Sequence, residues 1–316
     1  MTKLSPLASP SATREVLAAH GLSAKYALGQ NFLIDDGVLQ KIISLAEVSS
    51  DDYVLEVGPG IGTLTIALLK HAGRVVSVER DADLPVVLAE TIAPWSERFG
   101  LVEKDALDFA EGDLEDISWP DQAAGPAHRP LPAFPDKLVA NLPYAVAATL
   151  VLDYFQRFPS LGSATVMVQK EVADRMAAQR GTKNYGAYTV KLSLFAQIAG
   201  RFAVGPGCFL PPPRVESAVV RLDRCIPVDE KGRVVDAATV GAACTMADAS
   251  FANRRKTITN SCKTFFGNRG DEGARVISDL PRLFERAEVD PRIRGEALSV
   301  EDFIRLGKAL REIATS

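Results

Sequence analysis

Tyr53-Val54-Leu55-Glu56-Val57-Gly58-Pro59-Gly60-Ile61-Gly62 is an apolar run, carrying one acid, that breaks into three alternating glycines. Tyr53–Val57 reads as a short buried strand. Leu64, Ile66, Leu68 and Leu69 then place a helix on the far side of the glycines. Glycines belong where a backbone must turn tightly and let a ligand come close. The spacing is not the dinucleotide G-x-G-x-x-G, because position 63 is Thr and the third glycine arrives one residue early. It reads E-x-G-x-G-x-G, the form typical of S-adenosylmethionine sites. There the loop lies beside the amino-acid part and ribose of the cofactor.

Working outward, the same alternation repeats. Arg74–Val78 is a second strand and ends in Glu79, followed by a helix over Leu84–Ile92. A third strand near Leu101–Val102 ends in Glu103-Lys104-Asp105. A fourth, Leu138–Ala140, ends in Asn141-Leu142-Pro143-Tyr144. Helix Ala148–Phe158 leads to a fifth strand, Thr165–Val168. Strands alternating with helices predict a parallel sheet covered on both faces, an α/β fold of the Rossmann-like class I type. Open sheets of this kind bind ligands at the carboxyl ends of their strands. Glu79 can there accept from both hydroxyls of a ribose, and Asp105 from an adenine amino group. Either acid alone is explained as well by a solvated loop carboxylate. Four consecutive strand ends bearing glycines, Glu, Asp and Asn are not.

Upstream, Val38, Leu39, Ile42, Ile43 and Leu45 give a helix capped by Asp35 or Asp36. Residues 1–24 read as a loose leader with one short helix at Thr13–His20, joined by the turn-like segment Lys25–Asp35. Ser118–Pro135 holds five of the 19 prolines and reads as an exposed loop. Downstream come helix Lys170–Ala178, a loop at Arg180–Tyr185, a helix through Val190, Leu194 and Ile198, and a strand at Ala218–Leu222. Beyond Arg224 only helices follow, at 236–252, 254–266, 279–288 and 299–313. The last starts on a capping box of Ser299 and Asp302, with Leu298 stapled to Phe303. The expected domains are a leader at 1–24, a methyltransferase domain at 25–224 and a small all-helical C-terminal domain at 225–316.

Composition bounds the function. With 47% hydrophobic and 24% charged residues the chain is ordinary for a soluble globular protein. No apolar run approaches the ~20 residues that cross a bilayer. Met1–Leu17 has no apolar h-region, so no secretory signal is expected. Cys208, Cys225, Cys244 and Cys262 form no CxxC pair and no metal-ligand spacing, which predicts reduced thiols, a cytoplasmic location and no metal. The net charge is -4. Residues 225–316 hold 15 Lys+Arg against 14 Asp+Glu, whereas residues 1–224 hold 21 against 26. A nucleic-acid partner must therefore be met by local patches.

The motifs GQNFLID at 29–35, EVGPGIGTLT at 56–65, VSVERD at 76–81, DAL at 105–107, NLPY at 141–144, VQKEVADRM at 168–176, NYG at 184–186, FLPPPRVESAVV at 209–220 and FANRRKTITN at 251–260 stand in this order. Together they closely resemble the KsgA/RsmA-type ribosomal RNA adenine N6,N6-dimethyltransferase family. The resemblance spans residues 25 to about 305 and implies dimethylation of two adjacent adenosines in the 3′-terminal hairpin of 16S rRNA, within the 30S subunit or its precursor. It implies S-adenosylmethionine held by Asn31, Leu33, Gly58, Gly60, Glu79, Asp105 and Asn141. The sequence after NLPY, Ala145-Val146-Ala147-Ala148, is less polar than the family pattern.

The chemistry fits these residues. An adenine amino group is a poor nucleophile because its lone pair is delocalised into the ring. Asn141 and the Leu142 carbonyl can accept its two hydrogens and aim the lone pair at a sulfonium methyl, which is catalysis by positioning. Pro143 stiffens the loop. Tyr144 can stack on one face of a base drawn from its helix, and Phe209 can cover the other, unless Phe209 is a core aromatic. His20, His71 and His128 lie outside every motif and carry no role. For RNA, Arg254, Arg255, Lys256 and Lys263 share one predicted helix, and Arg201, Arg214 and Arg221 extend the patch. A merely solvated helix face is the plain alternative. Three other functions compete. An Erm-type enzyme would methylate one adenine of 23S rRNA, an assembly factor would dock with little chemistry, and a DNA or small-molecule N6-adenine methyltransferase would not need the helical domain. A monomer is expected.

Overall fold

The computed structural model describes residues 3–25, 28–119 and 131–314. The chain divides into two units, residues 1–173 with 198–223, and residues 174–197 with 224–316. The first unit opens with α1 (Pro10–Ala19), β1 (Phe32–Leu33) and α2 (Asp36–Ala46). It continues through β2 (Tyr53–Val57), α3 (Thr63–Leu69), β3 (Arg74–Glu79), α4 (Leu84–Thr91) and β4 (Phe99–Glu103). After β5 (Lys137–Asn141), α5 (Ala147–Arg157) and β6 (Ser163–Gln169), helix α6 (Lys170–Met176) crosses into the second unit.

Helix α7 (Ala187–Ser193) belongs to the second unit, and β7 (Ala196–Val204), β8 (Phe209–Leu210) and β9 (Ser217–Arg224) return to the first. Seven strands form one sheet in the order β4-β3-β2-β5-β6-β9-β7. The neighbours from β4 to β6 are parallel, and β9 is antiparallel to β6. The strand order reverses between β2 and β5, so the ligand crevice of such a sheet opens at their carboxyl ends. Strand β2 is buried along its whole length, as a central parallel strand requires.

The residues before Lys25 are less loose than their sequence suggests. Leu7, Ala8 and Leu17 are buried in the core cluster around α2 and α3. Asp36 Oδ1 accepts from the N–H groups of Leu4 and Ser5 at 2.8 and 3.2 Å. Asp35, not Asp36, caps α2, accepting from Val38 N at 3.0 Å. The helix expected through Val190, Leu194 and Ile198 stops at Ser193, and Ile198 stands in β7. Strand β7 lies at the sheet edge, and between its buried ends Ala196 and Val204 its residues are exposed or half-buried, so its sequence lacks the apolar–polar alternation that marks a strand. The expected boundary at 225 also shifts in space: residues 174–197 cluster with the helices, because Tyr185 and Val190 join their apolar core.

The second unit completes itself with α8 (Ala237–Phe251), α9 (Ile258–Phe266), α10 (Gly270–Arg286) and α11 (Val300–Ala314). Small residues let α8 and α11 approach closely: a methyl group at Gly307 would lie 2.7 Å from Ala243 N and 2.8 Å from Thr239 O. The capping box of α11 forms in both directions, Ser299 N to Asp302 Oδ2 at 2.7 Å and Asp302 N to Ser299 Oγ at 3.2 Å. Most of Ser118–Pro135 lies outside the described residues, and so does His128. The cysteines are free thiols. No helix among the described residues is long and apolar enough to cross a membrane.

Candidate active site

Gly58, Gly60 and Gly62 adopt φ of 68°, 60° and 91°, the left-handed region that side chains with a Cβ disfavour. Gly58 N donates to Val78 O at 3.0 Å, which folds the loop back over the end of β3. A methyl group on Gly60 would sit 3.2 Å from the Phe32 ring, and one on Gly58 would sit 3.8 Å from Pro143 Cδ. The glycine loop is therefore flanked by the GQNFL segment on one side and the NLPY segment on the other.

Glu79 ends β3 and is 9% exposed. Its Oε1 accepts from Arg80 N and Asp81 N, both at 2.8 Å, and the carboxylate also accepts from Gly60 N. Burial pushes its carboxyl above the ordinary range, against the pull of these three N–H groups. A buried carboxylate beside a glycine loop, with acceptor capacity left on its second oxygen, suits a ribose diol.

Asp105 sits beyond β4 and is held below its usual carboxylate range by Leu107 N, which donates to Oδ1 at 3.0 Å, and by Arg80, which reaches Oδ2 at 3.0 Å. Asn141 ends β5, and its Nδ2 donates to Asn31 O at 3.2 Å. That commits the donor end of the amide and turns its oxygen into the acceptor a substrate amino group needs. Leu142 is buried, with its N–H spent on Met167 O at 3.1 Å. Tyr144 is half-buried, and its hydroxyl lies 2.6 Å from Ser217 Oγ. The fold thus brings Asn31, Gly58, Gly60, Glu79, Asn141, Pro143 and Tyr144 to one edge of the sheet.

Three expectations change. Phe209 is 2% exposed and lies in the core cluster with Phe32 and Leu33, because β8 pairs antiparallel with β1, Leu33 opposite Phe209. The apolar ring is held inside, and in this conformation it does not cover a base. Leu33 is buried by the same pairing, so only its backbone is placed to meet a ligand. Arg254, Arg255 and Lys256 do not share a helix with Lys263: they form an exposed turn after α8, and α9 begins only at Ile258. Thr257 causes this by capping α9, accepting from Asn260 N at 3.4 Å. Ile258 N and Thr259 Oγ1 then anchor the turn to Ile293 O and Pro291 O at 2.7 and 2.8 Å. Arg254 pairs with Glu296 at 3.3 Å, whereas Arg214 is exposed in the other unit.

Several residues to which the motifs alone assign no role hold the site together. Asp81, 5% exposed, accepts from Lys25 Nζ at 2.5 Å and Gln30 Nε2 at 2.6 Å, tying the GQNFL segment to the residues after Glu79. Glu56 is buried in β2, with Oε2 accepting from Thr65 and Ser77 hydroxyls at 2.7 and 2.8 Å. Burial pushes its carboxyl up to about 7. A folded-state value above the ordinary one means that stability present below about pH 4.5 is lost as pH rises through about 7. Glu56→Gln keeps the acceptor without the charge. Thermal melts of the variant should match wild type in acid and exceed it above neutral pH, by up to about 3 kcal/mol. Equal melting at both ends would contradict a buried charge at Glu56.

Among the described residues no group of three His, Cys, Asp or Glu is placed to hold a metal ion. Residues 21–285 match the family model described as ribosomal RNA adenine dimethylase. A protein named ribosomal RNA small subunit methyltransferase A from Enterococcus faecalis is 37% identical over 315 residues, covering 99% of each chain. One of the same name from Rhodococcus erythropolis is 38% identical over 308 residues, covering 95% of this chain and 92% of its own. Among solved structures, a dimethyladenosine transferase from Plasmodium falciparum superposes with a TM-score of 0.69 at 23% identity, covering 90% of this chain and 98% of its own. The 23S rRNA methyltransferase ErmE does so at 0.60 and 24%, covering 89% and 100%. At these identities both structures speak for the fold alone.

Proposed function

The chain belongs to the ribosomal RNA adenine dimethylase family, and from that membership we propose that it dimethylates N6 of two adjacent adenosines in the 3′-terminal hairpin of 16S rRNA. The substrate is the 30S subunit or its precursor, met by a monomer in the cytoplasm. The observation that carries this reading is the meeting of Glu79, the glycine loop and Asn141 at the strand-order reversal. Transfer to 23S rRNA is disfavoured, because near-full-length relatives carry the small-subunit name whereas ErmE shares the fold at 24% identity.

When bound, S-adenosylmethionine supplies an electrophilic sulfonium methyl. Gly58 and Gly60 would leave room for its amino-acid end, Glu79 would hold the ribose, Asp105 would accept from the adenine amino group, and Asn31 and Leu33 would contribute backbone. The Asn141 amide oxygen and the Leu142 carbonyl accept the two N6 hydrogens of the target, and the nitrogen pyramidalises with its lone pair toward the methyl. Methyl transfer would leave N6 positively charged and acidic, so its extra proton would pass to water, while the two carbonyl oxygens hold the amino group by hydrogen bonds and are too weak as bases to take the proton themselves. In the second round one hydrogen remains, so one acceptor faces a methyl group. Tyr144 stacks on the base, and Pro143 keeps the two acceptors in register.

Arg254, Arg255 and Lys256 contact phosphates, with Lys263 and Arg214 as further cations. Replacing Arg254, Arg255 and Lys256 together by alanine should weaken 30S binding and lower the salt dependence by about 0.7–0.9 per cation removed. Cofactor binding, measured by calorimetry, should stay unchanged; an unaltered salt slope would remove these residues from the interface.

The deciding experiment incubates the protein with labelled cofactor and under-methylated 30S particles, with free 16S rRNA and 50S particles in parallel, followed by nucleoside analysis. N6,N6-dimethyladenosine from the 30S sample, and little from free RNA, is expected. Label in 50S instead, or none in any sample, overturns the proposal.

A further inference from the structure

Tyr144 reaches through its hydroxyl to Ser217, 2.6 Å away and fully buried. Ser217 is the first residue of β9, which runs antiparallel to β6 and sets Ser217 opposite Gln169. The start of β9 therefore lies at the sheet edge where β5 and β6 end. The loop after β5 carries Tyr144 over the end of β6 to meet it.

We propose that Ser217 is a positioning residue that pins the Tyr144 ring in the attitude from which it stacks on the target adenine. The proposal rests on the reading of Tyr144 as the base contact. At its backbone end Tyr144 is held by a turn in which Val146 N and Ala147 N donate to Pro143 O at 3.2 and 3.1 Å. The ring keeps two torsions of its own, and a hydrogen bond at its far end removes both. Ser217 is itself fixed, since its neighbour Glu216 accepts from Lys170 N at 2.9 Å and pairs with Lys170 Nζ at 2.8 Å. Burial holds the Tyr144 hydroxyl above the ordinary phenol range, so it stays protonated and anchors without acting as a base. A ring already in place spares the enzyme the ordering of a loose aromatic each time a base arrives.

The test compares Tyr144→Phe, Ser217→Ala, their combination, Ser217→Thr and Tyr144→Ala on under-methylated 30S. It measures single-turnover rate, KM for the particle, cofactor affinity and melting temperature. Tyr144→Phe and Ser217→Ala should each slow transfer by about tenfold, with KM and cofactor affinity unchanged. The double variant should be no slower than either single one, because both break one bond. Ser217→Thr, which keeps the hydroxyl, should recover most of the rate. Wild-type rates in both single variants, or losses that multiply in the double one, overturn the anchor. If those variants keep their rate while Tyr144→Ala loses it, the base contact stands and only the anchor fails. If Tyr144→Ala also keeps its rate, the reading of Tyr144 as a base contact fails with it.

Discussion

Asn141→Ala is expected to lower single-turnover methyl transfer by about 10³-fold, while cofactor binding weakens by no more than about tenfold. The asymmetry follows from where the amide points. Its Nδ2 is spent on Asn31 O at 3.2 Å, a contact that steadies the cofactor-side loop. Its oxygen is the group that meets the substrate amino group. Alanine removes both, but Asn31 keeps a second tie through the neighbouring Gln30–Asp81 bond, 2.6 Å long. The loss should therefore fall on the chemical step. Rapid-quench methylation of 30S beside calorimetric titration of the cofactor separates the two. A cofactor loss as large as the rate loss would mean that Asn141 serves mainly to close the cofactor site.

Glu79→Ala should raise the cofactor dissociation constant by about 10²- to 10³-fold and leave 30S binding close to wild type. Two hydrogen bonds from a ribose to a carboxylate are each worth about 1.5–3 kcal/mol. Part of that gain is offset, because the buried carboxyl is already strained toward its neutral form. The same burial makes affinity pH-dependent. A carboxyl whose value is raised begins to protonate above the ordinary range, so cofactor affinity should fall as the solution is acidified toward and below that raised value. In Glu79→Gln that acid limb should vanish. Loss of particle binding together with cofactor binding would show that the two surfaces are not separate.

The parts of this site that the sequence made legible are those governed by local rules. Alternating strands and helices placed Gly58, Glu79, Asp105 and Asn141 at successive strand ends, where they stand. The parts that escaped are pairings between distant residues. Ser217 lies 73 positions from Tyr144 and Lys25 lies 56 from Asp81, and no periodicity links them. In the sequence Phe209 is ambiguous, because an aromatic beside prolines suits a base pocket as well as a core; its pairing with Leu33, across the chain, decides for the core. The basic turn resembles a helix in the sequence because Phe251, Ile258 and Cys262 keep helical spacing across it. Thr257, a cap residue just before Ile258, was the available sign of a break.

The sheet order also has a consequence for how the protein is made. Strand β9 is the last strand among the described residues, yet it sits between β6 and β7. Until residues 217–224 have been synthesised, β6 has no neighbour on that side, and Ala164, Val166 and Val168 line an open hydrogen-bonding edge. An unpaired apolar strand edge invites association with other chains. Nascent chains and truncated fragments ending before Ser217 leave this edge unpaired and are expected to associate more readily than chains that include β9.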